Sequence, residues 1–137
     1  MLRVTPDGAA VWVQTAGANT NVALAVDGME TVWSGPTGRG PVQSAFGPAG
    51  GRYGLITHLE ETYVLALDRE TGREAGRIEV GGPQANVSFM PDGAMAFVTV
   101  TSRDEIAVID MAELAVVGRI PAGGEPMGLV VLDPAMA

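Results

Sequence analysis

The side chains able to carry chemistry are few in this sequence and lie far apart along it. His58 is the only histidine, and so the only side chain whose ordinary pKa falls near neutrality. It offers one proton carrier and no multi-histidine metal site. Glu60-Glu61 follows it closely, and two carboxylates can divide general acid and general base work. Adjacent residues in an extended segment, however, point to opposite sides. Asp7-Gly8 and Asp92-Gly93, each preceded by proline, have the composition of a cation or phosphate loop. The same three residues make a tight turn: Pro presets φ, Asp bonds back to the chain, and Gly accepts positive φ. Asp27, Asp68 and Asp110 each end an apolar run, where a carboxylate either joins a ring of acids or accepts turn N–H groups, and we favour the second reading. Trp12 and Trp33 are large enough to stack on a sugar or base, but on strands they serve first as packing between layers. The absence of cysteine removes disulfides, thiolate metal sites, iron–sulfur clusters and cysteine nucleophiles.

Charge narrows the partners further. Sixteen acidic residues oppose eight arginines, there is no lysine, and the net charge is −8. Binding to nucleic acid through its phosphates, or to an anionic membrane surface, is not expected of such a chain. The arginines at 39, 52 and 103 stand alone, and the denser group at 69, 73 and 77 alternates with Glu70, Glu74 and Glu79, as on a solvated outer strand. No apolar run approaches the roughly 18 residues of a membrane span, and Met1 to Gly8 lacks the apolar stretch of a signal peptide.

What must position these residues is a repeat. Pro6-Asp7-Gly8 recurs as Pro48-Ala49-Gly50 and Pro91-Asp92-Gly93, and Pro134 stands where a fourth copy would begin, at intervals of 42, 43 and 43 residues. Gly76-Arg77-Ile78 and Gly118-Arg119-Ile120 keep the same step, as do the three aspartates at the ends of apolar runs. Each unit contains four short apolar runs rich in Val, Ile, Thr and Ala, bounded by turn residues and too short for helices. The first unit predicts strands at 2–5, 10–15, 21–26 and 31–34, the second at 42–47, 53–58, 62–67 and 76–80, and the third at 85–90, 95–101, 105–110 and 116–122. Val64-Leu65-Ala66-Leu67 and Ile106-Ala107-Val108-Ile109 are apolar at successive positions, so both faces of the middle strands should be buried between sheets. Four antiparallel strands per repeat of this length describe the blade of an all-β propeller. The blades run over approximately 1–40, 41–82 and 83–125, and 126–137 begins a fourth blade or acts as a closing strand.

The third unit carries Pro91-Asp92-Gly93, then Phe97-Val98-Thr99-Val100, Val108-Ile109-Asp110 and Ile120-Pro121-Ala122-Gly123. In these motifs it resembles the YVTN repeat of bacterial and archaeal β-propellers. The other units are looser, with Trp12-Val13-Gln14-Thr15 and Leu55-Ile56-Thr57-His58 in the second motif, and Ala25-Val26-Asp27 and Ala66-Leu67-Asp68 in the third. The resemblance implies a propeller within a lactonase-like and cytochrome-d1-like superfamily, compatible with a periplasmic or secreted setting, and brings no catalytic residue. It leaves a non-catalytic binding or scaffold module as the expected function and a lactonase-type hydrolase or lyase as the alternative.

Three blades do not close a ring, since propellers use about four to eight. Gly128 to Leu132 repeats the inner-strand slot that Leu2 to Thr5 already fill, giving thirteen strands for twelve places. The chain is therefore expected either to form part of a longer propeller or to pair with a second copy, a tail strand capping the other chain's first blade, with a dimer favoured. Ligand contacts are expected from the loops entering the inner strands, 38–42, 81–85 and 123–127. Arg39, Gln84 and Glu125, with His58 nearby, are the candidate binding residues; no cofactor or metal is expected.

Overall fold

Strands form where turn chemistry brackets the apolar runs. The computed structural model describes residues 1–134. Its first sheet holds β1 (Leu2–Val4), β2 (Ala10–Thr15), β3 (Thr20–Ala25) and β4 (Thr31–Pro36). The second holds β5 (Pro41–Phe46), β6 (Tyr53–His58), β7 (Tyr63–Asp68) and β8 (Glu74–Glu79), and the third β9 (Gln84–Phe89), β10 (Met95–Val100), β11 (Glu105–Asp110) and β12 (Ala115–Pro121). Every sheet is antiparallel in simple chain order, which is the blade of a propeller. The chain is a three-bladed propeller arc. One 3₁₀ turn, Thr101–Arg103, joins β10 to β11.

The turns bear out their local logic. Asp7 Oδ1 accepts the Ala9 N–H at 3.0 Å and Asp92 Oδ1 accepts that of Ala94 at 2.9 Å. Asp68 Oδ1 accepts from Glu70 and Thr71, and Asp110 Oδ1 from Ala112 and Glu113, so these strand-end carboxylates hold hairpin turns. The turn N–H of Thr71 is the main reason the Asp68 carboxyl lies below its usual range, with Glu70 N–H and Arg52 adding to it.

The inner strands β1, β5 and β9 lie side by side along one axis, and the sheets stack around it. Between the second and third sheets, Leu55, Val64, Ala66 and Ile78 pack on Val87, Ala96, Val98, Ala107 and Ile109 in one apolar core. Between the first and second, a smaller core joins Trp12 and Ala23 to Ile56, Leu65 and Leu67, with Trp33, Phe46 and Tyr63 around it. Trp12 meets Trp33 and Phe46 edge to face at 5.0 and 4.8 Å, so both tryptophans serve packing. Gly54 makes this possible, because a Cβ there would lie 2.7 Å from the Trp12 ring.

Both faces of β6 and β7 are buried, as the successive apolar residues of β7 predict. The same expectation fails for β11, where Ala107 and Ile109 are buried and Ile106 and Val108 only half-buried on the side away from the second sheet. Likewise β2 and β3 alternate buried with half-buried residues, and β1 is exposed throughout, because no sheet covers the far side of the first. The expected thirteenth strand at 128–132 is not formed. That segment runs beside the inner edge of the third sheet, held by side chains: Thr101 Oγ1 donates to Pro126 O at 3.1 Å, Thr99 Oγ1 to Met127 O at 3.0 Å and Ser88 Oγ to Leu129 O at 3.4 Å. A strand needs a paired backbone ladder, and hydroxyl anchors do not supply one. The tail thus lies on its own chain's third sheet; its last residues, 135–137, fall outside the described ones.

Candidate functional site

Two ends of the sheets carry loops, and they differ in character. At the end where the inner strands begin lie all four residues singled out from sequence. His58, the last residue of β6, is fully buried. Its Nε2 accepts the Gly38 N–H at 3.1 Å, so Nδ1 bears the proton and donates to Tyr63 O, also at 3.1 Å. Burial pushes its pKa below the ordinary value, and the imidazole is neutral at pH 7. Gly38 fits over the ring because it has no side chain: a Cβ would stand 2.6 Å from Tyr63 Oη and 3.1 Å from the imidazole.

Gln84, the first residue of β9, is equally buried and bonded at every hydrogen-bonding atom of its side chain. Its Oε1 accepts the His58 N–H at 3.1 Å, and its Nε2 donates to Glu61 O at 2.9 Å and Gly82 O at 2.6 Å. Arg39 grips the β6–β7 turn: its backbone N–H and Nε both reach Glu61 Oε1, at 3.1 and 3.0 Å, and its Nη2 reaches Glu60 O at 3.1 Å. These two bonds from Arg39 hold the Glu61 carboxyl below its usual range, which settles Glu61 as a tether and leaves no paired-carboxylate centre at Glu60-Glu61. Glu125 takes a left-handed conformation, φ 50°, with its N–H on Asp104 Oδ1 at 2.9 Å and its side chain in solvent. The structure thus brings His58 and Gln84 together as a buried latch, with Arg39 as a tether beside them and Glu125 apart.

The opposite end holds the clefts. One of about 780 Å³ opens between the first and second sheets, with Trp33, Arg52, Asp68 and Arg69 on its walls and Asp7 at its edge. Arg69, read from sequence as part of a solvated group, is half-buried: Nη1 donates to Gly51 O at 2.7 Å and Pro48 O at 3.2 Å, and the guanidinium lies over the Phe46 ring at 5.4 Å. Burial lowers its pKa, although it stays charged. Arg52 pairs with Asp68 at 3.4 Å and keeps most of its side chain in solvent. Asp7 is held below its usual range first by the Thr5 hydroxyl, then by the Ala9 N–H. Trp33 donates from Nε1 to Arg69 O at 3.4 Å, fixing its ring as one wall. A second cleft of about 500 Å³, between the second and third sheets, is mostly apolar, with Tyr53, Phe89, Met95 and Met111 on its walls. Sequence reasoning did not find these clefts; the spaced arginines 52 and 69, in the first and third hairpin turns of one repeat and so at the same end of its sheet, were the available signal.

No known family profile matches the sequence, and no curated protein resembles it closely enough to be matched. Solved structures do. The chain superposes on the hydrazine synthase of Kuenenia stuttgartiensis with a TM-score of 0.82 at 21% identity, over 90% of this chain and 36% of that one. It superposes on the dihydro-heme d1 dehydrogenase NirN with a TM-score of 0.77 at 17% identity, over 89% and 28%. The structure of U3-55K gives a TM-score of 0.81 at 14% identity, over 90% and 39%. The chain therefore spans between about a quarter and two fifths of these structures' lengths. Enzymes stand among them beside a protein similar in score to the WD40 repeats of RRP9. At such identities the likeness carries the propeller fold and none of the chemistry.

Proposed function

We infer that the chain is a non-catalytic propeller module of YVTN type that binds a ligand at the hairpin end of its sheets. The observation that carries this reading is the cleft between the first two sheets, where an indole wall, two arginines and three acidic residues, Asp7, Asp68 and Glu70, line one concave space. Sites that bind a small molecule or a protein segment combine apolar walls with a few fixed polar groups in this way. At the opposite end Arg39, exposed beside the buried His58 and Gln84, offers a second contact point. A lactonase-type or lyase activity is disfavoured because the one imidazole has both nitrogens bonded within the fold.

Trp33 makes the reading testable by fluorescence. Titration with a panel of short peptides and small organic acids should yield members that change the Trp33 emission, with the response lost in Arg52→Ala and retained in Arg39→Ala. A panel without any responding member, or turnover of simple lactones that disappears in His58→Ala, would sink the proposal.

A further inference from the structure

The repeat assigns a role to every face of every sheet. Leu55, Thr57, Val64 and Ala66 face from the second sheet toward the third, where Leu55, Val64 and Ala66 join the apolar core and Thr57 Oγ1 reaches Ala85 O at 3.4 Å. Forty-three residues earlier stand Trp12, Gln14, Asn21 and Ala23, which face the second sheet in the same way. Forty-two residues later stand Phe97, Thr99, Ile106 and Val108, paired as Phe97 with Val108 and Thr99 with Ile106. They face away from the second sheet, on the side where the described residues form no further sheet.

The first sheet shows the complementary face. Ile56, Leu65 and Leu67 pack back from the second sheet onto the first. Their counterparts in the first sheet are Val13, Val22 and Leu24, joined by Val11 in the pairs Val13–Val22 and Val11–Leu24. These are half-exposed, beside a β1 whose Leu2 is 63% exposed. The outer faces of the first and third sheets are thus mostly apolar, and they are of the two kinds that fit one another inside the chain.

The tail marks the same place. The bond from Thr99 Oγ1 to Met127 O repeats, 42 residues on, the bond from Thr57 Oγ1 to Ala85 O, the latter on the inner strand of the following sheet. Residues 126–131 therefore occupy the inner-strand position of a sheet next to the third.

We propose that the outward face of the third sheet receives the first sheet of a second copy, and the reverse, so that two copies close a six-sheet ring about a two-fold axis along the channel. β1 of the second copy takes the inner-strand position, and the tail gives way to it. Two equal contacts of one type close the assembly, and six blades lie within the usual range.

The test is the solution mass of the full chain by light scattering over a dilution series at physiological ionic strength. The expected species has twice the 14.1 kDa of one chain and dissociates on dilution. Val13→Asp and Val108→Asp, each on one of the two faces, should weaken it by at least about tenfold while the β-sheet circular dichroism persists. Should a charge disturb the sheets, Val22→Thr and Ile106→Thr replace them with the same expectation. Mixing the two aspartate variants leaves one intact contact and should give a dimer weaker than the unsubstituted pair. Removal of residues 123–137 should tighten association, since it removes the competitor for the inner-strand position. A folded monomer at every concentration, a dimer indifferent to both faces, open chains longer than two, or a looser dimer after removal of the tail would each overturn the proposal.

Discussion

The two junctions between sheets are built from equivalent positions of the repeat and end up unlike. At the junction of the second and third sheets small and branched apolar side chains fill the space, and the polar groups are tied across it. Gln43 Oε1 accepts the Val87 N–H at 2.9 Å, Gln84 bonds on both atoms of its amide, and Arg119 Nη1 reaches Val80 O at 2.8 Å. At the junction of the first and second sheets the packing depends on Trp12, Trp33 and Phe46, and four buried polar atoms have no protein partner: Trp12 Nε1, Gln14 Oε1, Asn21 Nδ2 and Ser44 Oγ. A buried hydrogen bond contributes about 1 kcal/mol net, whereas a buried group lacking one costs about 1–3 kcal/mol. The same scaffold thus carries one tight joint and one looser joint, and the cleft of Trp33, Arg52 and Arg69 opens at the looser one.

The comparison breaks most sharply at Trp12. Trp12→Ala removes the central ring of the smaller core and should cost about 4 kcal/mol. Hydrogen exchange should then show residues 10–36 losing protection well before residues 53–110; loss in step across all three sheets would show that the joints are equally strong. A paired substitution sharpens the contrast at intermediate size. Gln84→Ala leaves the His58 N–H and the Glu61 and Gly82 carbonyls without their partner, and should cost about 2–3 kcal/mol in a denaturant titration. Ser44→Ala removes a hydroxyl that has no protein partner and should be neutral or slightly stabilising in the same assay.

The smallest effect is in pH. The His58 pKa is lower folded than unfolded, so between the two values the unfolded chain binds more protons and stability rises with pH. Its contribution is complete above the unfolded value of about 6.5 and is lost as pH falls through that value toward the folded one. The melting temperature should fall between pH 7.5 and 5.5, and His58→Phe should flatten that slope, leaving the further loss at lower pH to Asp7, Glu61, Asp68 and Glu105, whose carboxyls are held below their usual range.

The architecture was legible in the sequence because its signals are local. Pro-x-Gly turns, strand-end aspartates and short apolar runs act within a few residues of themselves, and their spacing survives as the repeat. The sequence placed the loops around Arg39, His58, Gln84 and Glu125 at one end, but not the fact that His58 and Gln84 face inward. The orientation of His58 depends on Gly38 approaching the imidazole from 20 residues away, and that of Gln84 on backbone groups of His58, Glu61 and Gly82. The cleft of Trp33, Arg52 and Arg69 was illegible for a related reason, since its walls come from hairpins of two sheets and meet only when the sheets stack. The tail shows the limit of pattern alone: Leu129 to Leu132 has strand composition, but a strand forms only against a partner's backbone.

The three hydroxyl groups that hold the tail have a kinetic consequence. A segment fixed by a backbone ladder leaves only when a sheet opens, on the slow scale of partial unfolding. Residues 126–129, bonded through the side chains of Ser88, Thr99 and Thr101, can lift while the ladders of all three sheets stay intact. The inner edge of the third sheet is therefore under reversible cover, and a newcomer reaching it competes with a local concentration rather than with an unfolding barrier.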